Sequence, residues 1–165
     1  MISLLCPCYN EEAVLPLFFE RITAVMEGTG QDFEIVCVND GSHDGTLDLL
    51  REQAEADERV KVVDLSRNFG KEAALTAALD HAMGDAVVPI DADLQDPPEL
   101  IGVMLEKWRE GYEVVLAHRS NRSSDSWLKR VTARMFYKVH NRISRPELPE
   151  NVGDFRLMDR RVVDA

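Results

Sequence analysis

Five short apolar runs, each closed by polar or glycine-rich residues, set the rhythm of this chain. Residues 2–6, 33–38, 60–65, 86–90 and 113–117 have the length and continuity of strands buried on both faces. Helical periodicity fills the gaps. Leu15, Phe18, Phe19, Ile22, Val25 and Met26 recur on one helical face, with Asn10 as the expected N-cap and Gly28 and Gly30 as the stop. Further helices are predicted over 46–56, over the alanine-rich stretch 71–83 that ends at Gly84, and over 98–110, stopped by Gly111. Strand and helix in strict alternation, with a period of about thirty residues, predict an α/β fold built on a parallel sheet with right-handed crossovers.

That topology has a geometric consequence. Every strand-to-helix loop of such a sheet emerges on its carboxyl edge, where ligands bind. Residues 9–12, Asn39 and Asp40, residues 67–71, residues 91–95, and His118 with Arg119 are loops of this kind. They are expected to converge on one acidic site with a few basic members.

The stretch from Val87 to Glu99 concentrates the chemistry. A buried strand ends in Asp91 and Asp93, and like charges this close raise each other's pKa unless a cation lies between them. A hard divalent cation, Mg or Mn, prefers such oxygen ligands, with Asp93 as the first candidate and Gln95 as a source of another oxygen. Asp91 and Asp93 need not both face one ion. Asp96-Pro97-Pro98-Glu99 fits a helix start capped by Asp96. Glu11 and Asp40, each near a helix start, suit the helix dipole as well as they suit the N–H groups of a nucleotide base. Tyr9 beside them can pack on a ring. Arg119, at a strand end, can clamp phosphate oxygens in bidentate fashion.

Composition narrows the field. The chain has 165 residues, 45% hydrophobic and 30% charged, which suits one soluble domain. It lacks a membrane-length apolar run and a leader-like start, so this stretch is expected to be soluble and cytoplasmic. Cys6, Cys8 and Cys37 all fall in apolar runs and read as reduced core thiols, since Cys6-Pro7-Cys8 is neither a zinc nor a redox spacing. The net charge is −11, yet residues 118–145 carry eight Lys or Arg against Asp125 alone, a segment of +7 in a body of −18. This distribution argues against nucleic acid as a partner and for a local anion such as a phosphate or a membrane surface. Within the segment a helix is expected over 127–142, with Arg130, Arg134, Lys138 and Arg142 as a basic stripe. No GxGxxG follows the first strand and no GxxxxGK(S/T) occurs. The four His are dispersed, and Ser42 and Ser66 have no triad partners.

At five segments the sequence resembles the family-2 glycosyltransferases of GT-A fold, within them the polyprenyl-phosphate group of dolichol-phosphate mannose synthases and bactoprenol-phosphate glucosyltransferases. The segments are Cys6-Pro7-Cys8-Tyr9-Asn10-Glu11-Glu12, Val38-Asn39-Asp40-Gly41-Ser42-His43-Asp44-Gly45-Thr46, Ser66-Arg67-Asn68-Phe69-Gly70-Lys71-Glu72-Ala73-Ala74, Asp91-Ala92-Asp93-Leu94-Gln95-Asp96-Pro97-Pro98-Glu99 and Gly153-Asp154-Phe155-Arg156-Leu157. The resemblance implies a mostly parallel Rossmann-like sheet with helices on both faces. It implies inverting sugar transfer from a nucleotide-diphosphate sugar, UDP-linked in preference to GDP-linked, to polyprenyl phosphate.

By the same resemblance, Pro7, Tyr9, Glu11 and Asp40 hold the base and ribose, Asp91 faces the nucleotide, and Asp93 and Gln95 bind the Mg or Mn that bridges the diphosphate. Arg119 and Arg134 receive the phosphates of donor or acceptor, and Asp154 lines the reaction centre, giving Asp93, Arg119 and Asp154 as the catalytic set. Asn39 departs from the family, where many relatives carry Asp. Relatives of the bactoprenol type continue into interfacial helices and two membrane spans, so residues 1–165 are expected to be the catalytic domain, truncated before them, of an enzyme on the cytoplasmic side of the membrane. The competing readings are a transferase with a soluble sugar or polysaccharide acceptor, and a nucleotide-sugar binding module without turnover.

Overall fold

The computed structural model describes residues 1–118 and 152–165. The elements in chain order are β1 (Ile2–Cys8), α1 (Leu15–Thr29), β2 (Phe33–Asn39), α2 (Thr46–Ala56), β3 (Val60–Asp64), α3 (Lys71–His81), β4 (Ala86–Pro89), α4 (Leu100–Arg109), β5 (Val114–His118), β6 (Val152–Asp159) and a final turn of helix, α5 (Arg160–Val163). They form one six-stranded sheet in the order β3-β2-β1-β4-β6-β5. β1 runs parallel to β2 and β4, and β2 parallel to β3, whereas β6 is antiparallel to β4. The expected α/β alternation is therefore met through β4, and the sheet as a whole is mixed.

Continuous apolar runs form these strands because both sheet faces are covered. Leu5, Val36, Val38 and Val87 pack with Ala74, Ala78 and Ala82, so the small side chains of α3 let that helix lie close to the sheet. Residues of the opposite parity, Leu4, Cys6, Ile35, Cys37 and Val88, are as fully buried, which requires a second covered face. α1 turns Leu15, Phe18, Phe19, Ile22 and Met26 inward, and ends where Gly30 takes a left-handed φ of 64°.

β1 continues two residues past its expected end, through Pro7. A proline in a central strand loses a ladder donor, but here the loss costs nothing. Leu5 accepts the N–H of Ile90 on the β4 side, the side Pro7 also faces, and β4 has already ended at Pro89.

Two expected caps are corrected. Asn10 does not cap α1, which begins at Leu15 with Val14 at the cap position and no side-chain cap. Asn10 instead takes a left-handed φ of 57° in the loop after β1. Asp96 does not cap α4, whose N-cap is Glu99, also without a side-chain cap. Each proline disfavours the helical region for the residue before it, so Pro97 and Pro98 hold Asp96 and Pro97 out of the helix. The first-turn donors of Leu100 and Ile101 go to the carbonyls of Pro97 and Pro98.

The chain divides into two compact units, Met1–Val115 with Asp154–Ala165, and Leu116–Gly153. Most of the second unit, with Arg119, Arg134 and the expected basic helix, lies outside the described residues. Among the described residues no helix is long and apolar enough to cross a membrane.

Candidate functional site

The loops after β1 and β2 are laced together. Asn10 Oδ1 accepts the His43 N–H at 2.8 Å, and the Ser42 hydroxyl accepts the Asn10 N–H at 3.0 Å. The Thr46 hydroxyl accepts the Glu11 N–H at 2.8 Å, and the Glu12 carboxylate accepts the Gly45 N–H at 2.9 Å. These bonds explain the left-handed Asn10: its short amide reaches across only when the backbone turns sharply. Tyr9 stands beside this seam, edge-on to His43 with ring centroids 6.4 Å apart, and is 41% exposed, so a ring face is open to a ligand.

Asp40 follows β2 and is buried. Its Oδ1 accepts the Phe69 N–H at 2.7 Å and its Oδ2 accepts the Gly70 N–H at 2.9 Å. One carboxylate thus holds the end of the loop after β3 that leads into α3. Gly41 is held close to the same loop with a φ of 65°, and a Cβ there would lie 2.4 Å from the carbonyl carbon of Arg67. The neighbouring Asn39 donates its side-chain amide to Asp64 at 2.8 Å. An aspartate at that position would set two carboxylates together, which gives a local reason for the asparagine.

The acid pair follows β4 on a tight turn rather than on a continuing strand. The Leu94 N–H reaches the Asp91 carbonyl at 3.3 Å, and Leu94 itself has a left-handed φ of 55°. A non-glycine residue in that region is strained, and such strain clusters at ligand sites. On this turn Asp91 and Asp93 both line the same cleft. Asp93 Oδ1 also accepts the backbone N–H of Gln95 at 3.1 Å. Across the cleft, Lys71 Nζ lies 2.8 Å from the Asp91 carboxylate.

The electrostatics favour a cation. Partial burial pushes the Glu11 carboxyl above its ordinary value, and the carboxylates of Asp93, Asp91 and Asp44 push it the same way. Oxygen ligands on a short turn, in a negative field, are the donor set of a hard divalent ion. Asp93 is the residue here that fits one, since the Asp91 carboxylate already meets Lys71.

The cleft has a volume of about 260 Å³. Pro7, Tyr9, Glu11, Asp40, Asp91 and Asp93 all line it, although they come from the end of β1 and from three loops, spread over 87 positions of the chain. Gln95 is not among the lining residues and meets Asp93 through its backbone. Asp154 is described in its backbone alone: β6 runs antiparallel to β4, so its first residues lie at the edge where β4 ends. Arg119 and Arg134 lie outside the described residues. Asn68, Gly70, Lys71 and Cys8 also line the cleft. Of these, Lys71 had a sequence signal, a lone cation at the start of a helix, where the dipole disfavours it.

The chain matches the model of glycosyl transferase family 2 over residues 3–165. It is 53% identical to the bactoprenol glucosyl transferase of Shigella phage SfV, over 99% of this chain and 53% of that protein. The chain spans about half the length of the curated relatives it matches. Its fold is that of mannosyl-3-phosphoglycerate synthase from Rubrobacter xylanophilus, with a TM-score of 0.75 at 24% identity over 98% of this chain and 54% of that one. The mannosyltransferase of Pyrobaculum calidifontis, solved with GDP-Man and Mn2+, is 26% identical with a TM-score of 0.61, over 99% of this chain and 45% of that one. A family match across nearly every residue, on a sheet of the same architecture and with the acid turn at its carboxyl edge, leaves one conclusion: this chain belongs to glycosyl transferase family 2.

Proposed function

We propose that this chain is the catalytic domain of an inverting transferase that moves a sugar from a nucleotide-diphosphate donor to a polyprenyl phosphate. The observation that carries the reading is the convergence of Tyr9, Glu11, Asp40, Asp91 and Asp93 on one cleft. The name of the phage relative supports the acceptor, and the GDP-Man and Mn2+ of the Pyrobaculum enzyme support the donor class and a divalent cation.

In this reading Tyr9 packs on the base, with Pro7 below it, and Glu11 and Asp40 accept base or ribose donors. Each Asp40 oxygen keeps a second lone pair beyond the backbone N–H it already accepts. Asp91 faces the nucleotide and Lys71 the diphosphate. Asp93, with Gln95, holds Mg or Mn, which when bound neutralises charge developing on the leaving diphosphate. Arg119 and Arg134 are assigned to the phosphates.

The acceptor phosphate is an anion at neutral pH, so its oxygen attacks the anomeric carbon without a strong base, and the bond to the diphosphate breaks on the opposite face. Asp154 then positions the acceptor rather than deprotonating it. The basic segment draws the enzyme to an anionic cytoplasmic membrane surface, at about 1 kcal/mol per basic residue. The donor is taken as a UDP-sugar, with a GDP-sugar as the alternative.

The test is product formation by the full-length protein. Labelled UDP-glucose or GDP-mannose with Mg or Mn and a short-chain polyprenyl phosphate should yield an organic-soluble glycolipid. A water-soluble glycoside in its place would move the acceptor to a soluble sugar, and donor binding with no turnover on any acceptor would leave a binding module.

A further inference from the structure

The three cysteines of the chain, which are too close in sequence or too far apart for a linear metal motif, come together in space. Strand alternation puts Cys6 and Cys8 on the same face of β1, and the parallel register sets Cys37 of β2 directly beside Cys6. All three are free and buried. Their sulfurs lie within 4.8 Å of one another, and those of Cys6 and Cys8 are 3.6 Å apart. A tetrahedral zinc with sulfur ligands at about 2.3 Å holds neighbouring sulfurs about 3.8 Å apart. The cluster is therefore close to the spacing of a thiolate metal centre without any movement of the backbone.

We propose that Cys6, Cys8 and Cys37 form a binding site for one thiophilic divalent cation of the Zn2+ class, beneath the acid-lined cleft and distinct from the oxygen site at Asp93. Soft thiolates select such ions, while Mg and Mn prefer the carboxylates above. Cys8 supplies the entrance, because it lines the cleft while Cys6 and Cys37 lie fully inside. The thiols give up their protons to solvent through that entrance as the metal–sulfur bonds form, and a cleft water can complete the coordination.

Occupancy would put a metal against Cys8 at the floor of the cleft, and so should weaken nucleotide binding from below.

Cd2+ alone, added to the protein in buffer free of Mg and Mn, is the probe. The expected result is a thiolate-to-metal charge-transfer band that saturates at one ion per chain, with proton release and a raised melting temperature. The band should vanish in Cys37→Ala and Cys8→Ala and persist in Asp93→Asn, which separates this site from the carboxylate one. With only three cysteines in the chain, no other sulfur cluster can supply the signal. If either cysteine variant fails to fold by circular dichroism, protection of the wild-type thiols from an alkylating reagent by Cd2+ replaces it. No band in the folded wild type, an unchanged band in a folded Cys37→Ala, or thiols alkylated equally fast with and without Cd2+ would overturn the proposal.

Discussion

Lys71 and Asp91 meet across the cleft at 2.8 Å, the cation from the first turn of α3 and the carboxylate from the turn after β4. Both side chains are about two-fifths exposed, 41% and 42%, so the pair adds little to stability, about 1 kcal/mol or less. Its place in the cleft matters more. Lys71→Met should leave the unfolding midpoint nearly unchanged. It should weaken nucleoside diphosphate binding about tenfold, the equivalent of one charge-assisted hydrogen bond of roughly 1.5 kcal/mol. Titration calorimetry and a denaturation curve on the same variant check both halves.

Asp40 serves two ends of the site at once. Because it is buried and accepts the Phe69 and Gly70 N–H groups, Asp40→Asn turns an amide toward one of those donors and leaves it unpaired. The expected loss is about 1–3 kcal/mol of stability. Backbone amide exchange should accelerate at Phe69 and Gly70 before it does in β2. Equal protection of those two amides in the variant would show that Asp40 does not hold the loop.

A pH dependence follows from Glu34, at the opposite end of β2 from the cleft. Burial alone would raise its carboxyl, but the Lys61 ammonium at 2.5 Å, the Ser3 hydroxyl at 2.6 Å and the Met83 N–H at 2.6 Å together hold it below the ordinary glutamate range. A carboxyl depressed in the folded state stabilises above its unfolded pKa, and that stability is lost as pH falls through the folded value. The stability difference between the wild type and Glu34→Gln should thus be largest near neutrality. It should close as the pH drops below about 4, and urea denaturation across that range measures it.

Much of this arrangement was readable in the sequence, for identifiable reasons. Strands buried on two faces write themselves as unbroken apolar runs, and the parallel topology then dictates that loops after β1, β2 and β4 meet. That the loops carrying Tyr9, Glu11, Asp40, Asp91 and Asp93 meet followed from topology, while the roles of these residues came from the family resemblance. The misreadings at Asn10 and Asp96 share a cause: Asn and Asp are favoured by left-handed turns and loops for the same short-side-chain chemistry that makes them good caps. What could not be read is what depends on register. The bond from Asp40 to Gly70 joins residues thirty apart. The approach of Cys37 to Cys6 requires knowing that β1 and β2 pair in that frame. The turn that carries Asp91 and Asp93 closes on the left-handed φ of Leu94, a conformation no leucine advertises.

The most direct test of the account is the binding of UDP-glucose to the wild type and to Asp93→Asn, each measured with Mn2+ and again with the metal chelated. The account predicts that the wild type binds donor far more tightly with Mn2+ than without it. It predicts that Asp93→Asn, folded as judged by circular dichroism, loses that metal-dependent gain. Equal, metal-dependent affinity in the two proteins would contradict the assignment of the acid turn as the place where cation and donor meet.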